Sequence, residues 1–299
     1  MGLAVADALG VPVEFCSREY LKNNPVKEMM GYGTYNQPEG SWSDDTSLTL
    51  GLLDALSEEK FSIKSMADKF VSWYRFGEYT PNGVVFDIGN ATREALIRIG
   101  KGVNPLTAGG KTEYDNGNGS LMRILPLAFY LKDEDNIEER IRKIYEVSSI
   151  THGHIRSKMA CHIYVEMAIK LIKGATLEES YLETINEIKE YYQEEKELAT
   201  FKRILSGDIN CLNEDEVKSS GYVIDTLEAA LWCSLTTSSY KEAVLKAVNL
   251  GSDTDTVAAV TGGLAGIYYG IESIPQEWIQ VIINKELIYE LSESLNKKL

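Results

Sequence analysis

Two short acidic segments each stand immediately before an apolar stretch with helical spacing. They are Ser43-Asp44-Asp45-Thr46 and Gly251-Ser252-Asp253-Thr254-Asp255-Thr256. A serine or aspartate at a helix start caps free N–H groups, and acidic residues in the first turn suit the helix dipole. Capping needs only one or two such groups, whereas each segment supplies two carboxylates with hydroxyls beside them. Each segment is therefore either a helix cap or part of a cation site.

The four aspartates of these segments would repel one another if the two helix starts met in space. Carboxylate and hydroxyl oxygens are the ligands that Mg²⁺, Mn²⁺ and Ca²⁺ prefer. A meeting of the two helix starts would therefore give a binuclear oxygen-ligated site, with a spacing that suits two-metal chemistry. The sequence does not show whether they meet.

Other known acidic motifs fit less well. An EF-hand loop starting at Asp253 would need glycine and glutamate where Ala258 and Leu264 stand. Asp253-x-Asp255-x-Val257 matches the DxDx(T/V) pattern of haloacid-dehalogenase-type phosphatases, but that pattern should follow a buried strand. Here residues 248–251 end a helical pattern. A metal-dependent phosphatase is the alternative function.

Several other polar residues have a structural and a functional interpretation. Glu14 follows the apolar stretch 10–13, so it either has a raised pKa and transfers protons or simply ends a helix. Asp87 lies in an acidic loop before a helix and is equally ambiguous. His152 and His154 form an HxH pair without a third ligand at a zinc-binding spacing, which favours a structural role or a substrate contact.

A glycine-rich loop, Asn116-Gly117-Asn118-Gly119-Ser120, precedes Leu121-Met122-Arg123. Glycines let a phosphate approach backbone N–H groups closely, and a helix start favours an anion. The same residues also suit a plain turn followed by a helix cap. The loop lacks both a GxGxxG pattern and a P-loop lysine.

Helical periodicity dominates the elements that must position these residues, and alternating strand patterns are nearly absent. The sequence predicts one all-α domain over residues 1–299, with a charged, solvated helical excursion at 177–218. The predicted helices are Thr46–Leu56, Ile63–Phe76, Asn90–Ile99, Ser120–Leu131, Ile137–Ser149, Ile155–Lys173, Leu177–Glu195, Val223–Leu235, Tyr240–Leu250, Thr256–Tyr269 and Lys285–Leu295.

Composition limits the partners and the compartment. The 299 residues carry a net charge of −15, which argues against a nucleic-acid or anionic-membrane surface. No apolar run is long enough to span a membrane, and the start of the chain lacks the basic region of a signal peptide. The four cysteines are widely spaced, without a CxxC pair, which predicts reduced, buried thiols. We therefore expect a cytoplasmic protein, and an anionic substrate would need a local cation or helix N-terminus.

Taken in order, six segments resemble the ADP-ribosylglycohydrolase family, which includes the dinitrogenase reductase-activating glycohydrolase. Each segment is short, but their order along residues 2–270 makes the resemblance specific. They are Asp7-Ala8-Leu9-Gly10-Val11-Pro12-Val13-Glu14-Phe15, Ser43-Asp44-Asp45-Thr46, Asp87-Ile88-Gly89-Asn90, Asn118-Gly119-Ser120-Leu121-Met122-Arg123, Thr151-His152 and Gly251-Ser252-Asp253-Thr254-Asp255-Thr256. Ala6 departs from the family pattern, where glycine commonly precedes the aspartate, and this should affect helix packing more than chemistry.

The resemblance implies a compact orthogonal multi-helix domain with two Mg²⁺ or Mn²⁺ ions. The implied metal ligands are Ser43, Asp44, Asp45, Asp253, Asp255 and Thr256. The implied substrate-binding residues are Asp87, Asn116, Gly117, Asn118, Gly119, Ser120, His152, Gly251 and Ser252, with the loop at 116–120 on the pyrophosphate. Glu14 or Asp45 would transfer the proton in catalysis.

The implied reaction is hydrolysis of the glycosidic bond between ADP-ribose and an acceptor. The partner would be an ADP-ribosylated protein or a small ADP-ribosyl compound, and we expect the enzyme to be a monomer. A non-catalytic ADP-ribose-binding protein is a second alternative besides the phosphatase. Loss of the acidic ligands would favour that alternative, but all of them are present in this sequence. The sequence does not distinguish arginine, serine or another acceptor.

Overall fold

The computed structural model describes all 299 residues and contains fifteen α-helices joined by loops and short 3₁₀ turns, without a β-sheet. In chain order the helices are α1 (Gly2–Gly10), α2 (Arg18–Asn23), α3 (Asp44–Leu56), α4 (Ile63–Phe76), α5 (Asn90–Gly100), α6 (Pro105–Ala108), α7 (Pro126–Leu131), α8 (Ile137–Ser149), α9 (Ile155–Ile172), α10 (Leu177–Tyr191), α11 (Val223–Leu235), α12 (Tyr240–Val248), α13 (Thr254–Tyr269), α14 (Gln276–Val281) and α15 (Lys285–Lys298).

The core is one continuous apolar cluster that runs from Leu3 in α1 to Leu295 in α15. Helices α9, α11 and α13 lie at its centre and are buried on nearly all sides, as expected of helices without a polar face. The chain therefore forms one compact all-α domain, as predicted. None of its helices combines the length and the apolar character that crossing a membrane would require.

Helices α1 and α13 pack backbone to backbone through small residues. A Cβ atom added at Gly10 would lie 2.4 Å from the Asp255 Cα, and one added at Gly262 would lie 2.4 Å from the Ala6 Cβ. Larger side chains at either glycine would force the two helices apart. Ala6 is accommodated because α13 offers Gly262 opposite to it, so this departure from the family pattern concerns packing. The close approach brings the start of α13 against the end of α1.

Most helix predictions are confirmed, and α4, α8 and α11 have the predicted bounds. Four helices were not predicted, namely α1, α2, α6 and α14. Helix α1 is buried on nearly every side, so it lacks the one-sided apolar spacing that marks an amphipathic helix. Helices α2, α6 and α14 span only four to six residues each, too few to show a period.

Two predictions about the chain's organisation were wrong. The predicted helix Ser120–Leu131 is a turn followed by α7, because Pro126 lacks an N–H group and begins the helix instead of continuing one. The segment 177–218 is α-helical only as far as Tyr191; short 3₁₀ helices follow, and Phe201 and Ile209 are buried in the core. All four cysteines are free, but only Cys161 and Cys233 are buried, whereas Cys16 is half-buried and Cys211 is exposed.

A buried polar network ties α8, α9 and the end of α10 together. The His162 Nδ1 lies 2.8 Å from the Tyr192 hydroxyl, and Arg140 makes a bidentate ion pair with Glu166 at 2.9 and 3.0 Å. Burial, reinforced by the positive charges of Arg140 and Lys170, lowers the pKa of His162 to about 3. The imidazole therefore stays neutral in the folded protein.

This neutral histidine should make the protein less stable in mild acid. An unfolded histidine titrates near pH ~6.5, so below that pH the unfolded state takes up a proton that folded His162 does not. Its contribution to stability is therefore lost as pH falls from about 6.5 towards about 3, and the loss reaches about 2 kcal/mol at pH 5. We expect urea unfolding of His162→Gln to depend less on pH between 7 and 5 than that of the wild type.

The half-buried His154 at the start of α9 provides the control, because His154→Gln makes the same replacement outside the buried polar network. His154→Gln should change the pH dependence less than His162→Gln does. An equal pH dependence of unfolding in the wild type and His162→Gln would show that the buried imidazole does not stay neutral.

Candidate metal centre

The starts of α3 and α13 meet at the centre of the molecule. The Thr256 hydroxyl donates a hydrogen bond of 3.2 Å to Asp45 Oδ2, and the Ser43 hydroxyl donates one of 3.1 Å to the same oxygen. The Thr256 N–H donates to Asp255 Oδ1 at 2.9 Å. The two acidic segments, 208 residues apart between Asp45 and Asp253, are therefore side by side in the fold.

Asp7 of α1 holds the start of α3 in this place. Its buried carboxylate accepts hydrogen bonds from the Ser43 N–H at 3.0 Å, the Thr46 N–H at 3.0 Å and the Thr46 hydroxyl at 2.6 Å. Burial raises the pKa of Asp7 to about 6, although these hydrogen bonds oppose the shift. An aspartate of one helix thus caps another helix, a role that no local pattern around Asp7 indicates.

The loop after α1 brings Glu14 to the same place. The Phe15 N–H donates to the Ser252 carbonyl at 2.7 Å, and the Ser252 N–H returns a bond to the Cys16 carbonyl at 2.8 Å. Gly251 permits this close pairing because it has a φ of 76°, and a Cβ there would lie 2.7 Å from the Arg18 nitrogen. Glu14 therefore lies next to the start of α13.

Asp87, from the loop before α5, completes the acidic cluster. One carboxylate oxygen from each of Glu14, Asp87 and Asp255 lies within 4.8 Å of the others. Burial, followed by the negative charge of Asp87, raises the pKa of Glu14 to about 9. Burial and the neighbouring carboxylates also raise the pKa values of Asp44 and Asp255. The cluster therefore holds more negative charge than the protein itself balances.

Four carboxylate oxygens in this cluster are buried without any hydrogen-bond partner. They are Glu14 Oε2, Asp45 Oδ1, Asp253 Oδ1 and Asp255 Oδ2. Unpartnered buried oxygens of this kind are costly and uncommon in folded proteins. Because all four belong to carboxylates that converge on one place, the donor set fits a hard divalent cation. The acidic cluster is therefore able to hold a metal ion.

The glycine-rich loop lies beside this cluster. The Asn118 side-chain amide donates to Asp253 Oδ2 at 3.0 Å and to the Thr226 hydroxyl at 2.9 Å, which fixes the Asp253 carboxylate. The N–H groups of Gly117, Gly119 and Ser120 donate no hydrogen bond within the protein. They are therefore free backbone donors in this loop.

Three polar side chains around this loop face the protein interior. Asn116 accepts a bond of 3.1 Å from the Ser157 hydroxyl, and the Ser120 hydroxyl accepts one of 3.0 Å from Ser148. His152 is buried under the loop, and a Cβ at Gly119 would lie 2.9 Å from its Cε1. Burial lowers the pKa of His152 to about 3, so its ring is neutral. These side chains shape the loop, and a direct contact with substrate remains a prediction.

An aromatic rim and an open groove border the acidic cluster. The Phe15 ring, 70% exposed, lies 6.4 Å from the Tyr35 ring, which lies 5.1 Å from Phe86. Beyond Ser252 a groove of about 570 Å³ extends to Asp225. The Asp225 carboxylate accepts a hydrogen bond of 2.6 Å from Ser220 but makes no ion pair. A substrate at the cluster would therefore have a flat apolar contact on one side and a polar groove on the other.

The DxDx(T/V) interpretation is not favoured by this geometry. Asp253 precedes the first turn of α13, and the residues before it follow helix α12 instead of a buried strand. The two acidic segments are also more than helix caps, since the carboxylate of Asp45 points to α13 and leaves one oxygen unpartnered.

The family model of ADP-ribosylglycohydrolases matches residues 1–299. An ADP-ribosylarginine hydrolase, Tri1, from Pseudomonas putida is 34% identical, over 99% of this chain and 76% of the relative. The ADP-ribosyl-[dinitrogen reductase] glycohydrolase of Rhodospirillum rubrum is 28% identical, over 93% of this chain and 87% of the relative.

A solved structure described as an ADP-ribosylglycohydrolase-related protein complex has a similar fold. It superposes with a TM-score of 0.82 at 32% sequence identity and covers 99% of this chain and 94% of its own. The match over the whole length and the common fold lead to one conclusion. The chain belongs to the ADP-ribosylglycohydrolase family and is an enzyme of that family.

Proposed function

We propose that this enzyme uses two Mg²⁺ or Mn²⁺ ions to hydrolyse the bond between C1″ of ADP-ribose and an acceptor. The observation that carries the proposal is the set of four buried, unpartnered carboxylate oxygens at the meeting point of α3 and α13. The residues that would hold the ions are Ser43, Asp44, Asp45, Asp253, Asp255 and Thr256. When bound, the ions would neutralise the carboxylates and hold the ribose diol of the substrate.

Hydrolysis requires a balanced movement of one water molecule. The water oxygen bonds to C1″, the bond from C1″ to the acceptor breaks, and one water proton ends on the leaving atom. The ribose acquires positive charge as the bond breaks, so carboxylates arranged around it stabilise the transition state. The convergence of Glu14, Asp87 and Asp255 within 4.8 Å supplies that negative environment.

We assign the proton transfer to Glu14 in preference to Asp45. Asp45 is completely buried, and its Oδ2 already accepts two hydroxyl hydrogen bonds, which suits a fixed ligand. Glu14 lies at the edge of the cluster, next to the exposed Phe15, and has a partnerless Oε2. Burial and the negative charge of Asp87 raise its pKa to about 9 in the metal-free protein, which supports a carboxyl able to hold a proton, as a proton-transferring group must.

The glycine-rich loop would bind the pyrophosphate of ADP-ribose. The free N–H groups of Gly117, Gly119 and Ser120 are neutral donors, so they bind an anion without adding charge to the protein. His152 and Asn116 would support the loop from below, and Asp87, Gly251 and Ser252 would border the ribose.

We further propose an arginine side chain of a protein as the acceptor. The relatives named as ADP-ribosylarginine hydrolases support this class. The groove that starts at Ser252 contains Asp225, a carboxylate without a cationic partner, which suits a guanidinium group. The overall charge of −15 also favours a cationic acceptor segment over an acidic one. We propose a cytoplasmic monomer that binds neither nucleic acid nor membrane surfaces.

One experiment tests the acceptor class and the metal dependence together. Incubation with peptides that carry ADP-ribose on arginine or on serine should release free ADP-ribose from the arginine peptide in Mg²⁺ or Mn²⁺. EDTA should abolish release, because the carboxylates then repel one another without cations. Chromatography of the released nucleotide measures both effects. Phosphate release without ADP-ribose, or no release from either peptide under any metal, would contradict the proposal.

Substitution of Glu14 tests the proton-transfer role. Replacement of this residue in Glu14→Gln keeps its shape but removes its ability to exchange a proton, so kcat on the arginine peptide should fall ~10²–10⁴-fold. The affinity for ADP-ribose, measured by calorimetry, should change much less. Glu19→Gln makes the same change on an exposed position of α2 and should leave kcat unchanged. A kcat within a factor of two of the wild type in Glu14→Gln would exclude the proton-transfer role.

Substitution of Asp225 tests the groove as the acceptor site. Asp225→Asn removes the charge that would face a guanidinium, so KM for the arginine peptide should rise about tenfold while the affinity for free ADP-ribose stays constant. Asp215→Asn is the matched control, because Asp215 lines the same groove but already pairs with Lys22 at 2.8 Å. Equal KM values for the wild type and Asp225→Asn would place the acceptor elsewhere.

A further inference from the structure

Arg123 is a buried cation without an anionic partner. It is 0% exposed, and it makes no ion pair with a carboxylate. Its guanidinium donates to the Gly119 and Val147 carbonyls and lies 4.9 Å from the centre of the Phe70 ring, while its Nε has no partner. Burial lowers its pKa to about 10, so the group is still charged at neutral pH.

Stability alone does not account for a buried charge of this kind. Removing a charge from water is costly unless an ion pair and full hydrogen bonding compensate it, and Arg123 has neither. An apolar side chain of similar length would fill the same space against Phe70 without that cost. The contacts of the guanidinium must therefore explain why an arginine stands at this buried position.

The contact with the Gly119 carbonyl fixes the orientation of a peptide group in the glycine-rich loop. The carbonyl of Gly119 and the N–H of Ser120 belong to the same peptide unit, which is planar and trans, so they point in opposite directions. Because Arg123 binds the carbonyl on the buried side, the Ser120 N–H points away from the guanidinium. That N–H is one of the groups without a partner in the protein.

We propose that Arg123 is a positioning residue that turns the Gly119–Ser120 peptide so that its N–H binds the substrate pyrophosphate. The proposal rests on the function proposed above. Arg123 acts through hydrogen-bond geometry, from the buried side of the loop.

Two substitutions test this role. Arg123→Lys keeps the charge but replaces the planar fork by a single ammonium group, so the peptide is held less firmly. We expect about a tenfold higher Kd for ADP-ribose and an unchanged Kd for Mn²⁺, both measured by calorimetry. Arg123→Met removes the hydrogen-bond donors altogether, so ADP-ribose should bind at least as weakly as in Arg123→Lys, while the Kd for Mn²⁺ again stays unchanged.

A loss of affinity confined to ADP-ribose distinguishes positioning from a merely structural role, which would weaken the binding of both ADP-ribose and Mn²⁺. Arg75→Lys is the control, because Arg75 also donates to a glycine carbonyl, Gly100, but at an exposed place between α4 and α5. Thermal unfolding of each variant identifies loss of fold, and Arg123→Lys keeps the test valid if Arg123→Met does not fold. Kd values for ADP-ribose within a factor of two of the wild type in both variants would overturn the proposal. Failure of the wild type to bind ADP-ribose would overturn the proposed function itself.

Discussion

The buried carboxylate of Asp7 is the interaction on which the site depends. Asp7 lies on α1, which packs against the backbone of α13 through Gly10 and Gly262, and it binds three donors at the start of α3. One helix therefore fixes the N-termini of two others, although their acidic segments lie at opposite ends of the sequence. Glycine on one side and aspartate on the other are both required. A Cβ at Gly10 would separate α1 from α13, and an apolar residue at position 7 would leave the N–H groups of Ser43 and Thr46 without their acceptor.

The consequence of this arrangement is a site that the protein cannot balance electrostatically by itself. Burial and mutual repulsion raise the pKa values of Glu14, Asp44, Asp45 and Asp255, and four oxygens lack partners. Divalent cations would relieve both costs, and the same cations, with neutral N–H groups in the glycine-rich loop, would let a protein of charge −15 accept an anionic nucleotide sugar. Folding and ligand binding are then coupled, because a cation that binds only the folded chain stabilises it.

The sequence predicts the acidic segments, the glycine-rich loop and most helices well, because caps, glycines and apolar periodicity are local signals. It does not predict the roles of Asp7 and Arg123. Asp7 binds partners that lie 36 residues or more along the chain, and Arg123 binds a carbonyl in the protein interior. Helix α1 is buried all round, so its sequence has no one-sided apolar pattern. Pro126 begins α7, whereas apolar periodicity alone places the start of that helix at Ser120. The meeting of α3 with α13 is tertiary information that no local pattern contains.

The number of Mn²⁺ ions bound per chain tests the central claim most directly. Equilibrium dialysis of metal-free protein, combined with thermal unfolding, should give two ions per chain and a higher melting temperature with Mn²⁺. Asp255→Asn should remove the shift produced by Mn²⁺ without lowering the melting temperature of the metal-free protein, because it relieves repulsion within the cluster. A wild-type protein that binds no divalent cation at millimolar concentration, and whose melting temperature Mn²⁺ and EDTA leave unchanged, would contradict the account.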